Sequence, residues 1–234
     1  MNLYGNTSEK GRLAVLRRWN KKEEEFNKVI EIGKTKKDYS YHLSRLLGFL
    51  AGDGSIFLSK TEGSTHYCIS FYPDILKLAE LFEESFRYCY NVSPKIKEMK
   101  NYFHVRVNNK TIYSNIKSIS SFGVLKWKVP LNILLSDELK KEWIRAFFDC
   151  EAYVGKKIIQ VQSVNNEGLG QIKKILKEFN IDSKIYRYER KNKNWNANYL
   201  LCIMKKDSKR RYLKEIGFNH PIKLEKLRGY CQDG

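Results

Sequence analysis

Apolar positions change period several times along the chain, and the order of those changes carries the first information. Over residues 42–52, HLSRLLGFLAG, apolar side chains fall on nearly every face of a helix before Asp53-Gly54 ends it. A helix that is apolar all round has to be buried on all sides. Strand-like runs follow at 55–60 and 66–72, where Tyr67, Ile69 and Phe71 alternate with Cys68 and Ser70. Pro73 is expected to open the next helix, with the apolar period Ile75, Leu78, Leu81, Phe82, Phe86. The runs KIKEMK (95–100) and YFHVRV (102–107), with Asn101 between them, predict a second hairpin. A helix near 110–120 then runs to a turn marked by Gly123.

The same order returns in the second half. ELKKEWIRAFFDC (138–150) predicts an amphipathic helix ending in Glu151, followed by the strand IIQVQS (158–163) and a helix over Gly168–Phe179. Strands at 184–189 and 199–204 and a helix near 207–215 lead to Gly217. Asp53 and Glu151 lie 98 positions apart, and Gly123 and Gly217 lie 94 apart. Two landmarks at nearly one offset predict a duplicated unit, and duplication fixes architecture before any local detail does. The expected class is α+β: two tandem αββαββα repeats over 41–135 and 136–234, forming a saddle of antiparallel sheets on a central helix pair. Residues 1–40 form an N-terminal helical extension. There Arg17, Arg18, Lys21 and Lys22 precede Glu23, Glu24 and Glu25, with a sparse apolar set of Leu13, Leu16, Trp19, Phe26 and Ile30. One or two amphipathic helices are expected, packed on the body or touching a nucleic-acid backbone.

Charge narrows the partner. In 234 residues, 44 Lys and Arg stand against 26 Asp and Glu, a formal +18. Such a field attracts polyanions and makes their association salt-dependent. The five cysteines (Cys68, Cys89, Cys150, Cys202, Cys231) are scattered, odd in number and without a C-x-x-C pair, which argues for a reducing, cytoplasmic setting without structural disulfides. His66, His104 and His220 lack ligand spacing, so no zinc is expected. No apolar run approaches the ~20 residues of a membrane span, and no apolar stretch of a signal peptide opens the chain. A G-x-x-x-x-G-K-[ST] phosphate loop is missing, so no nucleotide triphosphate is expected.

The two helix ends carry the candidate chemistry. Gly48-Phe-Leu-Ala-Gly52-Asp53 and Ala146-Phe-Phe-Asp-Cys150-Glu151 each place small residues four apart, with an acid directly after the second. Small residues at i and i+4 share a helix face and let two backbones approach. Packed on those faces, the helices would bring Asp53 and Glu151 side by side. A carboxylate at a helix C-terminus meets partial negative charge, and a second one raises the conflict and a pKa with it. A hard cation relieves both, because carboxylates and unpaired last-turn carbonyls make an oxygen site suited to Mg²⁺, with Mn²⁺ able to substitute. Against a phosphodiester such a metal supplies hydroxide and stabilises the leaving oxygen.

LLGFLAGDG (46–54) and IRAFFDCEA (144–152) resemble the paired signature helices of the LAGLIDADG homing endonucleases in their single-chain, two-repeat form. The resemblance covers about 41–228 and extends to GVLKWKVP (123–130), SVNNEGLGQI (163–172) and IGFNHPIKLEKL (216–227), which look like the archaeal and intein-associated branch. It implies that Asp53 and Glu151 bind catalytic metal, helped by the carbonyls of Gly52 and Cys150. It implies too that Lys128 stands near the active site, with Lys223 as its counterpart in the second repeat. Ala152 departs from the usual glycine, and Phe71–Tyr72 stand where a polar or basic residue is common.

Both second hairpins are basic. Lys95, Lys97, Lys100, His104 and Arg106 in one, and Lys184, Arg187, Arg190, Lys191 and Lys193 in the other, are the candidate DNA contacts. Alternation sends Phe103, Val105 and Val107 inward and His104 and Arg106 outward, and a two-stranded ribbon fits the major groove. Tyr186, Tyr188, Trp195 and Tyr199 could stack on bases, but cross-strand packing explains them more cheaply. The expected activity is site-specific cleavage of double-stranded DNA by a monomer. A non-catalytic DNA-binding regulator and an RNA maturase on the same scaffold are the competing readings; acids in both signature helices favour the nuclease. Starting at Met1 and lacking a terminal His-Asn pair, the chain is expected to be free-standing and not an intact intein.

Overall fold

The computed structural model describes residues 9–189 and 196–232. The extension is a single helix, α1 (Glu9–Lys34), and the first repeat then runs α2 (Tyr39–Ala51), β1 (Gly54–Thr61), β2 (Ser64–Phe71), α3 (Leu76–Tyr90), β3 (Lys95–Glu98), β4 (Phe103–Asn108) and α4 (Lys110–Ile119). The second runs α5 (Asp137–Glu151), β5 (Ala152–Val154), β6 (Ile159–Ser163), α6 (Asn166–Glu178), β7 (Lys184–Tyr188), β8 (Asn198–Ile203) and α7 (Lys206–Glu215), and α8 (Pro221–Gln232) follows. Each repeat contributes one antiparallel four-stranded sheet, in the order β1-β2-β4-β3 and β5-β6-β8-β7. The identical order confirms the duplication.

Local chemistry explains where elements stop. Asn91 and Asn180 take left-handed φ of +50° and +55° just after α3 and α6, a conformation asparagine tolerates better than most residues. Gly123 and Gly217, the paired landmarks, have φ of +105° and +66°, where a Cβ would be strained. Asn109, Ser136 and Asn165 cap α4, α5 and α6 by accepting from the N–H groups of Ile112, Leu139 and Gly168.

One expectation is corrected, and two elements are added to those located above. Pro73 does not open α3, which starts at Leu76; its carbonyl accepts from Phe103 N–H at 2.8 Å, which holds the chain extended beside β4. The short β5 is an addition to the expected strands, because three residues carry too little alternation to read. The helix α8 is a second addition, since its apolar residues follow no clear face and only Leu227 is fully buried.

The two signature helices run parallel and form the centre of one continuous core. A Cβ on Gly48 would sit 2.5 Å from the Trp143 carbonyl oxygen and 2.9 Å from Ala146 Cβ, and one on Gly52 would sit 2.6 Å from Cys150 Cβ. The small residues thus set the contact distance. Trp143, Phe147, Phe49 and Phe71 fill the flanks, all buried. Near the helix N-termini a buried ionic cluster joins the repeats: Arg45 Nε donates to Glu142 Oε1 at 2.5 Å, Arg145 pairs with the other Glu142 oxygen, and Arg45 reaches Glu84 at 3.1 Å.

Candidate active site and nucleic-acid interface

Asp53 follows α2 and Glu151 is the last residue of α5, so the close helix contact brings both acids to one end of the pair. Burial raises the Asp53 carboxyl above its ordinary value, and Asp74 adds to the rise; Lys223 and the Cys150 thiol oppose it. Glu151 is pushed up to about 7, first by burial and then by the charge of Asp53, against the pull of Lys223. The charge of one helix-end carboxylate, Asp53, thus acts on the other, Glu151, in the direction expected. Beside Glu151 opens a cleft of about 390 Å³, lined by Gly52, Ser55 and Ile56 from one repeat and by Gln162, Ser163 and Asn198 from the other.

Of the two lysines expected near the acids, the structure brings one. Lys223 Nζ donates to the carbonyl oxygens of Asp149 (2.6 Å), Cys150 (3.0 Å) and Phe148 (3.5 Å), at the C-terminus of α5. A cation there satisfies orphan carbonyls and offsets the helix's negative end. Lys128 instead pairs with Glu167 at 2.9 Å on the surface. The Cys150 carbonyl, an expected metal ligand, is therefore engaged by an ammonium.

Asp149, His220 and Asp74 carry almost no signal in the sequence, yet they build the seat of Lys223. Asp149 is buried, its Oδ1 accepting the backbone N–H of Asn219 and of His220, both at 2.9 Å. Burial pushes its carboxyl up to about 7 against those donors. His220 Nδ1 faces the Lys223 N–H at 3.4 Å and Nε2 faces Asp74 Oδ2 at 3.2 Å, joining α8 to the first repeat. The one available signal is that FFDCE holds an acid where LLGFLAGD holds Ala51.

The sheets differ on the faces turned away from the helices. In the first, Ser55, Ser70, Arg106 and Lys95 form one cross-strand row, and Lys97 pairs with His104. Val105 and Val107 point into the core as expected, but His104 and Arg106 are half-buried. His104 stacks on Tyr72 at 4.9 Å between centroids, which is what occupies the Phe71–Tyr72 departure, while Phe71 is core. Lys100 is exposed in the β3–β4 turn.

In the second sheet the corresponding row is Tyr153, Gln160, Cys202 and Lys184. Arg187, three residues on, lies on the other face in phase with Ile185 and pairs with Glu189 at 3.0 Å. Lys184 and Arg187 thus do not share a surface. Tyr186 and Tyr188, expected to pack, are exposed beside Lys184, and Gln160 and Gln162 lie on that face too. Arg190, Lys191, Lys193 and Trp195 lie outside the described residues. No described helix is long and apolar enough to cross a membrane.

Known proteins share this fold. Residues 138–217, most of the second repeat, match the LAGLIDADG-like domain model, and the whole two-repeat chain has the fold of solved LAGLIDADG proteins. The homing endonuclease I-DmoI superposes with a TM-score of 0.61 at 18% identity, covering 77% of this chain and 91% of that one. I-DmoI in complex with DNA and Mn gives 0.60 at 19% identity, over 76% and 97% of the two chains. The N-terminal LAGLIDADG domain of DUF199/WhiA gives 0.50 at 15% identity, over 83% and 93%. Among curated proteins, the replication factor C small subunit of Methanocaldococcus jannaschii is 29% identical across 84% of this chain, which spans 10% of that protein. An uncharacterized protein of the same organism is 26% identical across 80% of this chain and 70% of its own length.

Proposed function

We propose that this protein is a divalent-metal-dependent endonuclease that cuts both strands of a long DNA site as a monomer. The observation that carries the reading is the convergence of Asp53 and Glu151, one from each repeat, at the adjoining ends of α2 and α5. A pure binder gains nothing from two repelling carboxylates beside a phosphate. I-DmoI has been seen with DNA and Ca, Mn or Mg, which supports the same requirement here.

Among the described residues no cluster of three or more Asp, Glu, His or Cys is arranged to hold a metal. Two carboxylates and the Gly52 carbonyl suit Mg²⁺, which keeps several waters and completes its shell on substrate phosphate. Asp53 and Glu151 would hold the ion, and Mn²⁺ would substitute. When bound, the metal supplies an activated water and stabilises the leaving oxygen. The protein's own residues do the positioning. The tight α2–α5 contact fixes the spacing of the acids, Lys223 limits their repulsion, and Lys128 is free to swing to phosphate because an exposed ion pair is worth only about 0–1 kcal/mol. Lys95, Lys97, Lys100, His104, Arg106 and Lys184 contact the DNA. Each sheet follows one groove for about one turn, giving a site of roughly 20 base pairs.

The experiment is to incubate pure protein with a randomised plasmid library and Mg²⁺ and to sequence the ends. Wild type yields double-strand breaks at a recurrent long site. Asp53→Asn and Glu151→Gln yield none while binding the same duplex. Normal cutting by both variants contradicts the assignment. DNA binding without any cleavage by wild type favours the non-catalytic regulator, to which the likeness to the DUF199/WhiA domain lends its fold.

A further inference from the structure

The ends of α2 and α5 are matched in sequence but not in electrostatics. At α5, one ammonium already occupies the terminal carbonyls. Lys223 Nζ has three N–H groups, and three carbonyl oxygens, those of Asp149, Cys150 and Phe148, lie at 2.6, 3.0 and 3.5 Å. Its charge also acts on Asp53 and Glu151. This lysine is not a loose surface chain. Its backbone is held at the start of α8 by His220, whose own N–H is bound by the buried Asp149 carboxylate and whose ring meets Asp74.

At α2 the arrangement is different. Ala51 stands where Asp149 stands, so no carboxylate anchors a following segment there. Lys128, 95 positions before Lys223, is paired with Glu167 instead. Among the described residues nothing donates to the Gly52 carbonyl.

We propose that the site takes a single divalent cation, on the Asp53–Gly52 side, and that the Lys223 ammonium is a resident cation filling the second repeat's half. The inference rests on the metal-dependent reading above and refines it: two acids share one metal because the chain carries its own second positive charge. A hard dication on the α5 carbonyls would have to displace an ammonium from all three and come to rest beside it, where like charges repel.

The test is a Mn²⁺ titration of the protein alone, followed by loss of the free-ion electron paramagnetic resonance signal, with melting temperature as a check on folding. Wild type is expected to take up one Mn²⁺ per chain, and Asp53→Asn none. Lys223→Met opens the second half and raises the count to two, and Lys223→Arg, which keeps the charge, returns it to one. Two ions in wild type overturn the proposal whatever the variants do, and so does a count of one in a folded Lys223→Met. If uptake ignores Asp53 and Glu151 altogether, or none occurs, the metal reading itself falls. Two wild-type ions that both need the acids remove this inference and leave the metal-dependent reading standing.

Discussion

The two repeats share one topology, yet they divide the work unequally. The first brings a free helix end, Ala51-Gly52-Asp53, and an open sheet face with Lys95, Lys97 and Arg106. The second brings a helix end already neutralised by Lys223 and anchored through Asp149, with a sheet face of Tyr153, Gln160, Gln162, Tyr186 and Tyr188 around Lys184. A cationic face gives salt-sensitive affinity, whereas amides and tyrosines read shape and hydrogen-bonding groups with less dependence on salt. Duplication preserved the backbone because every strand pairing depends on it. The exposed members of the open faces, Lys95 and Lys97 in one repeat and Tyr153, Lys184 and Tyr186 in the other, carry little packing duty and differ between the repeats.

The largest expected effect tests what joins the halves. Glu142 is fully buried between Arg45 and Arg145. Glu142→Ala strands the buried Arg45 guanidinium and takes a partner from the half-buried Arg145, and breaking a buried pair costs about 3–5 kcal/mol. Urea unfolding measures it; a loss under about 1 kcal/mol would mean that the cluster does not couple the repeats.

Next come two glycines on either side of the comparison. Gly48 lies against Trp143 and Ala146, whereas nothing lies within 4 Å of a Cβ built on Gly170 in α6. Gly48→Leu should destabilise by about 3 kcal/mol, at the upper end of overpacking, and lower cleavage with it. Gly170→Ala should stabilise by up to about 1 kcal/mol through helix propensity. Equal melting temperatures for the two variants contradict close helix packing as the origin of the site.

The third effect is a pH slope. Glu151 has its carboxyl raised to about 7 in the fold, from an ordinary 4.5. The folded state therefore holds a proton more tightly, so stability is full below about 4.5 and falls as pH rises towards 7. Each pH unit inside that window is worth at most about 1.4 kcal/mol. Glu151→Gln lacks this slope, and its melting temperature should gain on wild type between pH 5 and pH 8. A gap that stays constant would show that the acids are not desolvated together.

The smallest effect concerns the extension. Trp19 is 61% exposed on the half of α1 that precedes its packing residues Phe26 and Ile30. Trp19→Ala should change stability by less than about 0.5 kcal/mol. Ile30→Ala, at a buried position, should cost about 2 kcal/mol or more. Calorimetry on both variants checks whether only the C-terminal half of α1 belongs to the fold.

The duplication, the helix pair and the two acids are legible in the sequence alone, because they leave periodic signals: small residues four apart, an acid straight after, and a matched offset near 98 positions. Element boundaries are less legible where the signal is short, as at β5, or where a proline suits two conformations, as at Pro73. Which lysine serves the acids is a different kind of question, and folding answers it. Lys128 and Lys223 stand at matched positions in similar motifs, and nothing local tells them apart. The choice depends on Asp149 meeting the backbone of Asn219 and His220 across 70 residues of chain, and on His220 meeting Asp74 across the repeat boundary. Strand phase likewise set Lys184 and Arg187 on opposite faces. Contacts between segments distant in sequence have no period to read, so their partners become visible only when the chain has folded.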